Sequence, residues 1–130
     1  MVKVEGGAFW MGAQKTNSEG QNYDSNASTD ESPVHQVILA PFYIAKYEVT
    51  GELYDAVMAK SGNFGANYPI YSTTYLGSTI TTFPADLNTF IATLNSLTGL
   101  KFDIPTEEEW EYAARGGKKT HYYTYAGSNT

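Results

Sequence analysis

Cysteine is absent from this 130-residue chain. Its absence excludes disulfide bonds, thiolate metal ligands and cysteine nucleophiles within these residues. It also removes the usual indicator of a redox compartment, because there is no thiol whose pairing could be interpreted.

Positive charge and long apolar runs are scarce as well. Eight Lys and Arg residues stand against fourteen Asp and Glu residues, the net charge is −6, and the longest basic cluster is Lys118-Lys119. We therefore predict that the chain does not bind nucleic acid. No apolar run reaches about 18 residues, so we predict no membrane-spanning helix.

A signal-peptide pattern is also lacking at the start of the chain, where Met1-Val2-Lys3 is expected to enter the fold directly. The sequence leaves the compartment unknown. A secreted or periplasmic protein whose leader had been removed would begin in the same way.

Apolar and aromatic residues are plentiful, at 42% and 15% of the chain, and eleven residues are tyrosine. This composition argues against disorder and suits a folded protein with a modest core. We predict one domain over residues 1–130.

The stretch 105–117 is the most informative part of the chain. Thr106 and Glu109 have the spacing of a capping box, and three glutamates occupy the first turn that follows. We predict a helix of about ten residues. Trp110, Ala113 and Ala114 are expected to form its buried face, Arg115 its last turn, and Gly116 its left-handed end.

Other elements follow from periodicity and turn residues. Strands are predicted at 2–12, 34–39 and 42–50, and helices at 51–60, capped by Thr50, and at 84–98, ended by Gly99. Inward-facing residues are expected to be Leu53, Tyr54, Val57 and Met58 in the first helix and Leu87, Phe90, Ile91, Leu94 and Leu97 in the second.

The connecting segments are less informative. The polar stretch 13–32 is predicted to be a surface loop, and its acids, Glu19, Asp24, Asp30 and Glu31, do not have the spacing of an EF-hand calcium loop. Residues 63–83 are predicted to be a long loop or a small hairpin turning at 76–78. His35 is expected to be a structural residue of its strand, and Lys46 and Glu48 to form a surface pair. A strand is predicted at 120–126.

Several of these segments resemble the formylglycine-generating enzyme family, also called sulfatase-modifying factors. The resemblance is strongest in Ile-Pro-Thr-Glu-Glu-Glu-Trp-Glu-Tyr-Ala-Ala-Arg-Gly-Gly at 104–117, and it extends to Gly-Gly-Ala-Phe-Trp-Met-Gly at 6–12. Segments 31–37, 42–50 and 90–99 match in the same order. The match covers the N-terminal half of a family domain. Two departures are Asp103, where the family has arginine, and the lack of tryptophan in 71–83.

The resemblance implies an α+β fold of the C-type-lectin-like type, with two to three helices and short irregular strands. Family enzymes oxidise a sulfatase cysteine to formylglycine with copper and oxygen. The resemblance places their catalytic cysteines and calcium ligands in the C-terminal half. We therefore assign no catalytic, cofactor-binding or metal-binding residue here, and we expect neither copper nor calcium in this chain. The signature is expected to be structural; its residues are Pro105, Thr106, Glu107, Glu109, Trp110, Glu111, Tyr112, Arg115 and Gly116.

Three functions remain open. The chain is a non-catalytic binding or structural module, a fragment of an active oxidase, or a fragment that folds by association. The expected partners are a second copy of the chain, a C-terminal half, or a protein or glycan ligand. We predict a homodimer, because the helix at 84–98, Trp110 and the strand at 120–126 would otherwise leave apolar faces and an edge uncovered.

Overall fold

The computed structural model describes residues 1–59, 67, 69, 74–75, 78–79 and 83–120. In chain order, the strands and helices are β1 (Val2–Val4), β2 (Gly7–Met11), β3 (His35–Leu39), β4 (Phe42–Ile44), α1 (Gly51–Met58), β5 (Thr74–Tyr75), β6 (Ser78–Thr79), α2 (Phe83–Thr98) and α3 (Glu107–Ala114). Short 3₁₀ turns lie at Thr29–Glu31 and Gly117–Lys119. The fold is α+β with three helices and short antiparallel strands among the described residues, as predicted.

The chain divides into two compact units. The first combines Met1–Ala45 with the segment that begins at Pro105, and the second is Lys46–Ile104. The first unit is therefore discontinuous in sequence.

Two antiparallel strand pairs build the first unit. β1 pairs with β4, from Val2 opposite Ile44 to Val4 opposite Phe42, and β2 pairs with β3, from Gly7 opposite Leu39 to Met11 opposite His35. The predicted single strand at 2–12 is therefore two strands with different partners. The break falls at Gly6, where a Cβ atom would collide with the backbone of residues 39–41. The predicted strand at 42–50 ends at Ile44.

The second unit has a core between α1 and α2. Tyr54, Val57 and Phe90 are buried, and the rings of Tyr54 and Phe90 stack with centroids 5.5 Å apart. Thr50 caps α1 as predicted, because its hydroxyl accepts a hydrogen bond from the Leu53 amide at 3.3 Å. Gly99 follows α2 with φ +68°, as expected for a left-handed helix end.

Two predicted core residues of this unit are exposed instead. Leu53 is 45% exposed, because Tyr54 and Val57 define the inner stripe of α1 and Leu53 lies outside it. Leu97 is 67% exposed. The eight residues of α1 span about 12 Å, whereas α2 is twice as long, so α1 cannot cover the last turn of α2. Helix α1 also ends earlier than predicted, at Met58, because Ala59 adopts a left-handed conformation.

The remaining elements are small. β5 and β6 form an antiparallel pair with Thr74 opposite Thr79, which confirms a hairpin in the region 63–83. Residues 121–126 of the predicted final strand lie outside the described residues. No helix in the described part of the chain is long and apolar enough to cross a membrane.

Candidate functional site

Helix α3 begins with the predicted capping box. The Thr106 hydroxyl accepts a hydrogen bond from the Glu109 amide at 3.2 Å, and the Thr106 amide donates to the Glu109 carboxylate at 3.0 Å. The helix ends at Ala114, and Gly116 follows with φ +90°. The prediction of the helix, its cap and its left-handed end is confirmed, although the helix is two residues shorter than expected.

The buried face of α3 differs from the prediction. Tyr112 is 1% exposed, whereas Trp110 is 63% exposed and Ala114 is also exposed. Trp110 and Tyr112 are two positions apart, which is about 200° around a helix, so only one of them can face the strands. The structure places Tyr112 inward because its hydroxyl finds a hydrogen-bond acceptor there.

Tyr112 fastens α3 to the strands of the first unit. Its ring centroid lies 5.0 Å from that of Phe9 on β2 and 6.5 Å from that of Phe42 on β4. Its hydroxyl donates to the Glu5 carbonyl at 3.0 Å. Burial raises the pKa of the phenol above its ordinary value, since the charged form would be poorly solvated.

A second set of contacts, which we call the Gly12 junction, consists of Gly12, Asn22, Glu111 and Arg115. The Gly12 amide donates to Glu111 Oε1 at 2.9 Å, and the same oxygen accepts from Arg115 Nε at 2.7 Å. The Gly12 carbonyl accepts from Arg115 Nη2 at 3.2 Å and from Asn22 Nδ2 at 2.8 Å. The amide and the carbonyl of Gly12, just after β2, are thus held by Glu111 of α3, by Arg115 directly after α3 and by Asn22 of the loop.

Gly12 is required at this junction by its own geometry. Its φ is +87°, and a Cβ atom at this position would collide with the Glu31 carbonyl oxygen. The Ala13 amide donates to that same oxygen at 3.0 Å, which brings the two ends of the loop 13–32 together.

The loop 13–32 is organised by its own polar side chains. Gln14 Oε1 accepts from the amides of Thr16 and Asn17 at 2.9 and 2.8 Å, and Asn22 Nδ2 also donates to the Trp10 carbonyl at 2.7 Å. Two of its acids are engaged locally: Asp24 Oδ1 accepts from the Asn26 amide, and Glu31 Oε2 accepts from the Ser28 amide. The predicted surface loop is confirmed, and it has a defined internal structure.

The signature residues therefore divide into three groups. Thr106, Glu109, Glu111, Tyr112 and Arg115 make hydrogen bonds within the first unit, and Gly116 supplies the left-handed backbone. Pro105, Glu107 and Trp110 are exposed. The pKa of Glu108 is lowered, first by a hydrogen bond from its own backbone amide and then by the Thr106 hydroxyl, with a smaller contribution from His35.

The described residues do not bring together a set of side chains that could bind a metal ion. Within the described ranges, no three His, Asp, Glu or Cys side chains come together in a way that could hold an ion. Copper(I) prefers thiolate ligands, and the chain has no cysteine. The described residues thus do not fit copper or calcium, whose ligands the resemblance places in the C-terminal half, and we derive no chemical step through either metal.

Sequence reasoning missed Gly12, Asn22 and the inward position of Tyr112. The pair Glu111 and Arg115, at i and i+4, was a readable signal of a side-chain contact along the helix. Nothing in the sequence indicated that the same carboxylate would reach a peptide group 99 residues away.

Comparisons with known proteins show the family of this chain. The family model "Sulfatase-modifying factor enzyme 1-like domain" matches residues 1–130. A relative named Chaperone protein LppX, from Paenibacillus barcinonensis, is 34% identical over 156 residues, covering 99% of this chain and 50% of that protein. The structure of PvdO from Pseudomonas aeruginosa superposes with a TM-score of 0.66 at 24% identity, covering 89% of this chain and 47% of that one, and it supports the fold alone. The chain spans about half the length of both relatives. It belongs to the sulfatase-modifying factor enzyme 1-like domain family.

Proposed function

We propose that this chain is a non-catalytic member of its family that binds other polypeptides through the outer face of α3. The proposal rests on a contrast between two kinds of residue within the signature. Its hydrogen-bonding side chains hold the first unit together, while Trp110 stays 63% exposed. Exposed tryptophan is enriched at the energetic centres of protein interfaces.

The chemistry around Trp110 indicates the class of partner. Glu107, one turn earlier on α3, and Ala114, one turn later, are both exposed. The face therefore offers an aromatic ring beside negative charge, which suits polypeptide segments that combine apolar residues with Lys or Arg. The relative LppX is named a chaperone protein, and that name supports a polypeptide as the partner.

Anisotropy of a labelled, unstructured polypeptide rich in Leu, Phe and Lys would test this proposal. We expect the parent chain to bind it and the Trp110→Ala variant to bind at least about tenfold more weakly. Tyr47→Ala is a matched control, because Tyr47 is 72% exposed and belongs to the second unit. Absence of binding by the parent chain, or equal loss in both variants, would contradict the proposal. A neutral oligosaccharide in place of the polypeptide tests the glycan alternative.

The second candidate is part of a formylglycine-generating oxidase. The observation in its favour is the family match over residues 1–130. A peptide carrying the sulfatase cysteine would be incubated with the chain, copper and oxygen, and analysed by mass spectrometry. We expect the thiol to persist, because the chain contributes no cysteine ligand for copper. Loss of the thiol together with gain of an aldehyde would restore this second candidate.

A further inference from the structure

The two edges of the β2–β3 pair differ in how their backbone groups are satisfied. In an antiparallel pair, the amide and carbonyl of one residue point toward the partner strand and those of the next residue point away. The Trp10 carbonyl and both polar groups of Gly12 bond to Asn22, Glu111 and Arg115 rather than to β3. Ala8, Trp10 and Gly12 therefore form the outer edge of β2, and this edge is occupied from Trp10 onward.

The same alternation fixes the outer edge of β3. Phe9 pairs with Val37 and Met11 with His35, so these residues exchange the hydrogen bonds between the strands. Gln36 and Ile38 must then direct their amides and carbonyls away from β2. Among the described residues, no backbone bond outside the β2–β3 pair reaches either of them. Within the part of the chain that the structure describes, the outer edge of β3 is open.

Its side chains make this edge unusual for an acidic protein. The ten residues of β2 and β3 include no Asp, Glu, Lys or Arg, although the chain carries a net charge of −6. Ile38 is 78% exposed, and Trp10, on the same outward face of the pair, is 37% exposed. Natural proteins commonly protect such edges with charged side chains, and β3 has none.

We propose that the open edge of β3 pairs with β3 of a second copy of this chain. The two strands run antiparallel with Val37 on the two-fold axis, so that Gln36 of each copy lies opposite Ile38 of the other. The result is a continuous four-stranded sheet in the order β2-β3-β3-β2. The arrangement is isologous: every outward donor of one copy meets an outward acceptor of the other.

Three features favour a second copy over a different partner. The strand is self-complementary, since the residues with outward backbone groups, Gln36 and Ile38, are related by the axis through Val37. Pairing there also brings two acidic chains together along uncharged strands, which limits their repulsion. The two Ile38 side chains come within diagonal reach on one face of the new sheet. Pro33 and Pro41 flank β3 and confine the pairing to this strand.

This proposal is independent of the polypeptide-binding function. Helix α3 packs on the inward face of β2, through Phe9, whereas Ile38 and Trp10 point outward. Loss of dimerisation would leave the Trp110 face intact, so each proposal can fail alone.

Sedimentation equilibrium over the micromolar range tests the second copy. Ile38→Lys places a cation at the edge, and Gln36→Pro removes an outward amide that β2 does not use. We expect a dimer for the parent chain and a dissociation constant raised about tenfold or more in both variants, because each dimer contains the change twice. Far-UV circular dichroism of both variants should match the parent. Tyr43→Lys, which adds the same charge at a residue 64% exposed on β4, should remain dimeric.

Three results would overturn the proposal. The first is a parent chain that sediments at the monomer mass throughout, and the second is a dimer that both edge variants retain. The third is a monomeric parent whose β3 edge binds only an unrelated extended peptide, which would assign the edge to another polypeptide.

Discussion

At the scale of single residues, Tyr112 connects burial to pH dependence. The pKa of its phenol is raised above the ordinary value of 10.0 because burial penalises the charged form. A group with a raised folded-state pKa contributes stability that is fully present below its unfolded pKa. That contribution is lost as the pH rises through the folded-state pKa.

We therefore expect the free energy of unfolding to fall as the pH rises above about 10, and Tyr112→Phe to remove that part of the alkaline loss. Urea denaturation at a series of alkaline pH values measures this pH dependence of the free energy of unfolding. Tyr47→Phe is the control that removes an exposed phenol, since Tyr47 is 72% exposed. If the free energy of unfolding falls with pH equally steeply in Tyr112→Phe and the parent above pH about 10, a group other than Tyr112 causes the alkaline loss of stability.

The two aromatic residues of α3 should respond very differently to truncation. Tyr112→Ala opens a cavity beside Phe9 and is expected to cost about 3–5 kcal/mol of unfolding free energy. Trp110→Ala is expected to change it by no more than about 0.5 kcal/mol, because a 63% exposed ring leaves little behind when removed. Thermal or urea unfolding of both variants measures the two changes in unfolding free energy. Comparable losses in the two would place Trp110 in the core after all.

The sequence predicted local features of α3 better than its orientation. A capping box depends on residues three positions apart, so Thr106 and Glu109 could be recognised directly. Which side of the helix faces inward depends on strands a hundred residues earlier. Tyr112 faces inward because its hydroxyl bonds to the Glu5 carbonyl and its ring packs on Phe9. The periodicity of the helix carries no information about either contact.

At the scale of elements, the cap of α3 is the first test. Thr106→Ala removes the acceptor of the Glu109 amide and should lower the unfolding free energy by about 0.5–2 kcal/mol. Thr106→Ser keeps a hydroxyl at the same place and should recover most of that loss. Urea unfolding followed by circular dichroism measures both. A serine variant as unstable as the alanine variant would argue against the cap.

The turn at Gly12 provides the second test, with a matched control in the same chain. Gly12 and Gly99 both have positive φ, but a Cβ at Gly12 would collide with the Glu31 carbonyl, whereas nothing lies within 4 Å of one at Gly99. In each alanine variant, the left-handed backbone should lower the free energy of unfolding by about 1–2 kcal/mol. We expect Gly12→Ala to lose clearly more stability than Gly99→Ala in urea unfolding. Equal losses would mean that the loop moves aside without cost.

The helices were easier to predict than the strands for a physical reason. Helix α2 contains its whole signal, an apolar stripe followed by Gly99. The strands are two to five residues long, and each is defined by its partner. The break between β1 and β2 arises because Gly6 passes against the backbone of residues 39–41, which no pattern within 2–12 indicates.

At the scale of the whole molecule, the absence of bound metal stays a prediction. No group of three potential ligands forms among the described residues, and the chain has no thiol. We expect dialysis against a chelator, and later addition of calcium or copper(I), to leave the melting temperature unchanged. Ligand binding to the folded state alone would raise it. A calcium-dependent rise would indicate a site that involves residues beyond those described.

Membership of the family could be predicted from the sequence, but the activity could not. The motifs at 6–12 and 104–117 are long enough to identify the family, and the family model agrees. The same residues proved to be engaged in holding the first unit together, through Gly12, Glu111, Tyr112 and Arg115. These contacts explain why the motif identifies the fold, and an activity does not follow from them.

The discontinuity of the first unit affects the order of events during synthesis. The Gly12 amide leaves the ribosome 99 residues before its acceptor, Glu111. At typical translation rates of 5–20 residues per second, that interval lasts roughly 5–20 s. Throughout it, Phe9 has no Tyr112 ring to cover it and the Gly12 peptide has no partner from α3. The first unit thus stays incomplete while residues 13–111 are being translated, and the codons of that stretch set how long this exposure lasts.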